Sequence, residues 1–195
     1  MKNSQEKVKI GVLGSTRGTD LKAIMEAVAA QRLSASVRVV ISNISSAYIL
    51  TRAAAYEIPA VFISHQSKRR LDFDREISKV LTEYNVDLIL LIGFMRILSG
   101  EFCRKWQGKI LNVHPSLLPK YAGGMDSNVH AEVLKNGDTE TGCTIHLVTE
   151  EVDRGQIIVQ KKCKVLASDT AVDLKTRVQA LEGEAFIEAI EKLSL

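Results

Sequence analysis

The sequence predicts an α/β protein: a Rossmann-like, mostly parallel sheet with helices on both faces, closed by C-terminal strands and a final helix. Three observations predict it. Short apolar runs rich in β-branched residues alternate with segments whose apolar residues recur at helical spacing. One run, Val86 to Gly93 (VDLILLIG), is almost wholly apolar, as a strand covered on both faces must be. Three loops rich in glycine, proline or polar residues follow strands, and right-handed crossovers would line them up along one edge of the sheet.

The elements follow in order. Val8 to Gly14 (VKIGVLG) is short, apolar and β-branched, and reads as a buried strand. After the turn STRGT, Leu21, Ile24, Met25 and Val28 share one helix face. Val37 to Ser42 is a second strand, and SAYILTRAAAYE is a second helix that ends before Pro59. AVFI is a short third strand. LDFDREISKVLTEYN turns Leu71, Phe73, Ile77, Val80 and Leu81 to one side of a third helix. VDLILLIG and KILNV supply two more strands, and NVHAEVL places His130 early in a helix. Thr141 to Thr149 and Gln156 to Val165 read as strands with partial alternation. A helix from Thr170 to Leu193 closes the chain, with Asp169 as its expected N-cap.

The bulk properties narrow the functional classes. The 195 residues, with no repeat, linker or low-complexity tract, read as one domain, 1–195. Hydrophobic content of 46% and charged content of 25% are ordinary globular values. A net charge of +3 does not point to a nucleic-acid partner, and SKRR (Ser67 to Arg70) reads as a solvated turn. Cys103, Cys143 and Cys163 form no CxxC pair, which argues against a disulfide framework and a zinc site and for a reducing cytoplasm. No apolar stretch approaches the length of a membrane span. The expectation is a cytoplasmic enzyme with small-molecule substrates, monomeric or homodimeric, without metal, nucleic acid or membrane.

Ligands of such sheets sit at the carboxyl edge of the strands. In NVHPSLLP, Asn112 and His114 are two apart, so a continuing strand points both to one side. A lone histidine there would read as a satisfied structural group. The neighbouring amide and the position at the sheet edge favour a reaction site. Pro115 and Pro119 would stiffen the exit. The loop GSTRGTDL suits a phosphate at a helix N-terminus, and equally suits a tight connecting turn. GFMRILS reads either as core residues around a snorkelling Arg96, or as an apolar slot whose free backbone groups read the edge of a flat ring. Asp153 in EEVDRG reads as a turn former, unless it approaches His114 and raises that ring's pKa. His146 in TIHLV alternates with apolar neighbours and reads as a satisfied histidine in a sheet. Ser116 and Cys143 lack the setting of a nucleophile.

FMRILS, NVHPSLLPKYAGG, TGCTIHLVTEEVDRGQIIVQ and RVQALEGEA together resemble the folate-dependent formyltransferases, from about Val8 to about Ile190. Within that family the short chain is most similar to the branch that formylates glycinamide ribonucleotide in purine biosynthesis. The resemblance implies 10-formyltetrahydrofolate as co-substrate and direct attack of the acceptor amine through an oxyanion intermediate. It implies catalytic roles for Asn112, His114 and Asp153. It also implies ribonucleotide contacts from Gly18, Thr19, Asp20 and Glu182, and folate contacts from Arg70, Met95, Arg96, Ile97, Leu98 and Asn112. Another formyl acceptor, such as an amino-sugar nucleotide, would share the trio. A formyltetrahydrofolate hydrolase would release formate without an amine, and a non-catalytic α/β binding module would bind folate or an anion without turnover. Three departures fall on the acceptor side: Asp20 where the family has asparagine, Gly183 after Glu182, and a longer loop across Ala122 to Val129.

Overall fold

Apolar β-branched stretches become strands, and amphipathic stretches become helices, in the predicted order. The computed structural model describes residues 7–123 and 128–193. Its first half runs β1 (Val8–Leu13), α1 (Thr19–Ala29), β2 (Ala35–Ser42), α2 (Tyr48–Ala55), β3 (Ala60–Phe62), α3 (Arg70–Glu83) and β4 (Leu88–Leu91). The second half runs α4 (Gly100–Lys105), β5 (Ile110–His114), α5 (Val129–Lys135), β6 (Glu140–Leu147), β7 (Ile157–Lys164) and α6 (Ala171–Leu193). Among the described residues, seven strands form one sheet in the order β3-β2-β1-β4-β5-β6-β7. β1 to β5 pair in parallel, whereas β6 and β7 pair antiparallel.

Both faces of the sheet are covered, which is why its central strands are apolar throughout. On one face Ile10, Val12 and Leu90 pack with Leu21 and Ile24 of α1, Ile49 of α2 and Phe186 of α6. On the other, Leu13, Ile41 and Ile89 pack with Phe73, Ile77 and Leu81 of α3 and Phe102 of α4. The chain leaves β1 toward β2 but leaves β4 toward β5, in the opposite direction. That reversal opens a crevice beyond the carboxyl ends of β1 and β4.

Two features differ from expectation. α4 has no counterpart in the sequence reading: six residues carry too little periodicity, although Ser99 caps it by accepting from the Phe102 N–H. Asp169 does not cap α6. Thr170 does, in a reciprocal box: its hydroxyl accepts from the Asp173 N–H at 3.2 Å, and the Asp173 carboxylate accepts from the Thr170 N–H at 3.0 Å. Asp169 instead binds Arg177 one turn into the helix through two hydrogen bonds. Arg177 and the hydrogen bond from the Leu166 N–H hold its carboxyl down at about 2.

Candidate active site

The loops after β1, β4 and β5 meet at the crevice and line a cavity of about 1040 Å³ together with α6 and the loop between β6 and β7. Asn112, His114 and Asp153 lie on its wall, and so do Gly18, Thr19, Asp20 and Glu182. Met95, Arg96, Ile97 and Leu98 line it as well. Arg70 does not. It is exposed at the start of α3.

Parallel pairing with β4 carries β5 to the crevice, with Leu91 opposite Asn112. Antiparallel pairing with β6 sets His146 opposite Asn112 and Thr144 opposite His114. The β6–β7 connection then folds back, so that Asp153 comes 3.3 Å from His114 Nδ1 and 3.5 Å from His146 Nε2. Asp153 holds a positive φ of 55°. Its carboxylate accepts from the Gly123 N–H at 2.9 Å.

His146 is the functional-site residue that local pattern missed. It is a satisfied histidine in a sheet, as the alternation suggested, and it also touches two of the trio. Its Nδ1 lies 3.0 Å from the Leu147 carbonyl, which can only accept. Nδ1 therefore donates there, and Nε2 faces the Asn112 side-chain amide at 3.2 Å as its acceptor. One N–H of Asn112 is thereby used, and the amide plane is set. Only the cross-strand register, unknown from one sequence, could have revealed this pairing.

His114 is buried, with Nε2 2.9 Å from the Tyr121 carbonyl oxygen. Burial pushes its pKa below the ordinary histidine value, outweighing the opposing pull of Asp153 and Tyr121. Asp153 therefore acts in the expected direction without prevailing, and the resting ring is neutral. Burial raises the Asp153 carboxyl, but the adjoining His146 ring, the Gly123 N–H and the nearby His114 hold it below the usual carboxylate range.

The prolines of β5's exit are assisted by buried hydrogen bonds. Ser116 Oγ donates to the Lys120 carbonyl at 2.7 Å, and Thr144 Oγ1 donates to the Ser116 carbonyl at 2.7 Å. Thr144 Oγ1 in turn accepts from the Leu118 N–H and from Gln160 Nε2. Residues 124–127 of the longer loop lie outside the described residues.

On the β4 side, Met95 and Ile97 are exposed and Leu98 is buried. The Met95 N–H is not free to read a ring edge: it donates to Ser15 Oγ at 2.9 Å, and that hydroxyl donates to Asn43 Oδ1. The Arg96 guanidinium lies 5.1 Å from the centre of the Phe73 ring, and its buried Nε has no hydrogen-bond partner. At the β1 loop, Gly18 has a φ of 65° and opens α1 without a side-chain cap. A Cβ there would come within 2.4 Å of Ile49, so both conformation and space require glycine. No side chain caps the first amides of α1.

Burial leaves Asp20 5% and Glu182 7% exposed, on the facing helices α1 and α6. Among the described residues, no cluster of His, Cys, Asp and Glu side chains is placed to hold a metal ion. None of their helices is long and apolar enough to cross a membrane.

The comparisons with known proteins agree with this geometry. The family model described as formyl transferase matches residues 8–190. The phosphoribosylglycinamide formyltransferase of Haemophilus influenzae is 41% identical over 91% of this chain and 83% of its own length. The human trifunctional purine biosynthetic protein adenosine-3 is 43% identical over 96% of this chain, which spans only 18% of that relative's length. The crystal structure of glycinamide ribonucleotide transformylase 1 from Symbiobacterium toebii superposes with a TM-score of 0.92 at 37% identity, covering 97% of this chain and 88% of that one. The family suggested by NVHPSLLP and VDRGQIIVQ is thus the family returned by the whole chain: this protein belongs to the formyl transferases.

Proposed function

We propose that this chain transfers the formyl group of 10-formyltetrahydrofolate to the primary amine of glycinamide ribonucleotide, a step of purine biosynthesis. The observation that carries the reading is the convergence of Asn112, His114 and Asp153 on one cavity wall, between an apolar arm and a helix N-terminus. The apolar arm, from Phe94 to Leu98, suits a flat pteridine. The opposite arm, from Gly18 to Asp20 with Glu182, suits a sugar phosphate. Relatives of both kinds, stand-alone and trifunctional, are named for purine biosynthesis or for this transfer.

The acceptor nitrogen attacks the formyl carbon, and the carbonyl electrons move onto oxygen. Asn112 donates its remaining amide N–H to that oxyanion. His114, neutral at rest, takes the proton released by the attacking nitrogen. The imidazolium so formed has an acceptor at each nitrogen: Asp153 at Nδ1 and the Tyr121 carbonyl at Nε2. The oxyanion then collapses, the bond from carbon to the folate nitrogen breaks, and that nitrogen receives the proton. The products are formylglycinamide ribonucleotide and tetrahydrofolate.

A direct assay tests the reading. Purified protein, 10-formyltetrahydrofolate and glycinamide ribonucleotide should yield the formylated product, and omission of the amine should leave the formyl donor intact. Formate release without amine would identify a hydrolase instead. Turnover with an amino-sugar nucleotide in place of glycinamide ribonucleotide would reassign the acceptor.

A further inference from the structure

We propose that Asp20 and Glu182 share one proton and together read the sugar-phosphate end of the acceptor, so that acceptor binding fails when that proton is lost. This rests on the acceptor assignment made above and deepens it.

The geometry comes first. Asp20 stands in the first turn of α1, and Glu182 stands on α6, which packs across it. The two helices approach so closely that a Cβ at Gly183 would lie 2.5 Å from Ala23 Cβ. Both residues are more than nine-tenths buried and line the cavity that holds the catalytic trio. No hydrogen bond or ion pair joins either side chain to any other group among the described residues.

The charges around them do not compensate. Cys143 faces the pair from β6, and burial pushes its thiol up to about 12, so it stays neutral. Lys175, one helical turn and more before Glu182 on α6, lowers the Glu182 carboxyl without reaching ion-pair distance. His130 on α5 faces Lys175 and is kept neutral by burial, with its Nδ1 unpartnered. Arg17, in the loop before α1, is exposed and sits 6.0 Å from the centre of the Tyr48 ring. Behind the pair, a shallower recess is lined by Glu26 and by Arg32, which pairs with Glu184.

Two buried carboxyl groups without a cation in contact cannot both ionise near neutrality. Burial pushes Asp20 up to about 7, and burial with the charge of Asp20 pushes Glu182 up to about 8. The pair titrates as a unit. One carboxyl keeps its O–H and becomes a donor. The pair, rather than either residue alone, then offers a donor where the family has asparagine at position 20. A carboxylate beside a phosphate repels it and can only accept; a carboxylic acid both donates and accepts, as the family's asparagine does. Loss of the shared proton would add a negative charge beside the ligand's phosphate and delete the donor together.

Two measurements test this. Calorimetric titration of glycinamide ribonucleotide, at several pH values and in buffers of different ionisation enthalpy, reports affinity and proton uptake. The wild-type protein should lose affinity by about tenfold per pH unit once the pair is ionised, with proton uptake on binding. Asp20→Asn should flatten that fall and abolish the uptake, and 10-formylfolate should bind without either effect. Infrared spectroscopy of the free protein at pH 7 should show a protonated-carboxyl band that the Asp20→Asn/Glu182→Gln double variant lacks. An identical pH dependence in wild type and Asp20→Asn overturns the inference, as does a free protein with no such band. Failure of glycinamide ribonucleotide to bind wild type at any pH overturns the acceptor assignment instead, and the infrared band still decides the shared proton.

Discussion

His114 is buried, with the Tyr121 carbonyl in hydrogen-bond contact at Nε2 and the Asp153 carboxylate 3.3 Å from Nδ1. The neutral ring can satisfy only one acceptor; the imidazolium satisfies both. Burial opposes the second proton, so the site holds the charged form only while the reaction supplies it. Removing Asp153's charge takes away one of the influences that raise the His114 pKa. Asp153→Asn should therefore shift the acidic limb of the kcat profile to lower pH and lower its plateau by about 10- to 100-fold. A pH–rate series checks it; an unmoved limb would leave Asp153 as a turn former. Asn112→Ala should cost about 10²–10³ in kcat, the usual worth of one oxyanion donor. Its urea unfolding midpoint should stay near that of the wild type, because Asn112 lines the cavity and is not part of the apolar core. Comparable turnover in the variant would remove Asn112 from the chemistry.

At the scale of elements, β5 delivers the amide and imidazole, while β6 and β7 hold them in place. Thr144 is fully buried and serves three partners at once: the Ser116 carbonyl, the Leu118 N–H and Gln160 Nε2. Thr144→Val keeps the shape and strands buried polar groups in the exit of β5. The expected loss is about 1–3 kcal/mol of stability by urea unfolding, with kcat falling more than the KM for the formyl donor. A variant as stable and active as the wild type would show that the prolines alone fix the exit. This division of labour explains what the sequence could disclose. The parallel strands were legible because burial on both faces leaves no polar alternation. Asn112 and His114 were legible because a two-residue period is local. Asp153 and His146 reach the same atoms only through antiparallel pairing of β6 with its neighbours, and no local pattern carries a register. The partnership of Asp20 with Glu182 was hidden for the same reason: it depends on how the first and last helices pack.

For the molecule as a whole, the buried acid pair is a stability liability placed in a functional cavity. Asp20 rises from 3.8 to about 7 on folding, and Glu182 from 4.5 to about 8. Between the unfolded and folded values the native state binds more protons than the unfolded one. Stability contributed by this pair is therefore greatest in acid and falls as pH rises through that window. Asp20→Asn removes one titrating group and the like charge that burdens the other. Its stabilising effect should grow with pH across that window, because the wild-type pair must give up a proton there that the variant no longer holds. Thermal unfolding of both proteins at pH 5 and pH 8 should show the gap widening by about 2–3 kcal/mol, or roughly 5–10 °C for a chain of this size. A gap of the same size at both pH values would mean that the two carboxyl groups ionise freely in the folded protein. The variant should gain this stability at the acceptor site itself, because the residues that destabilise the fold there are those that face the ligand.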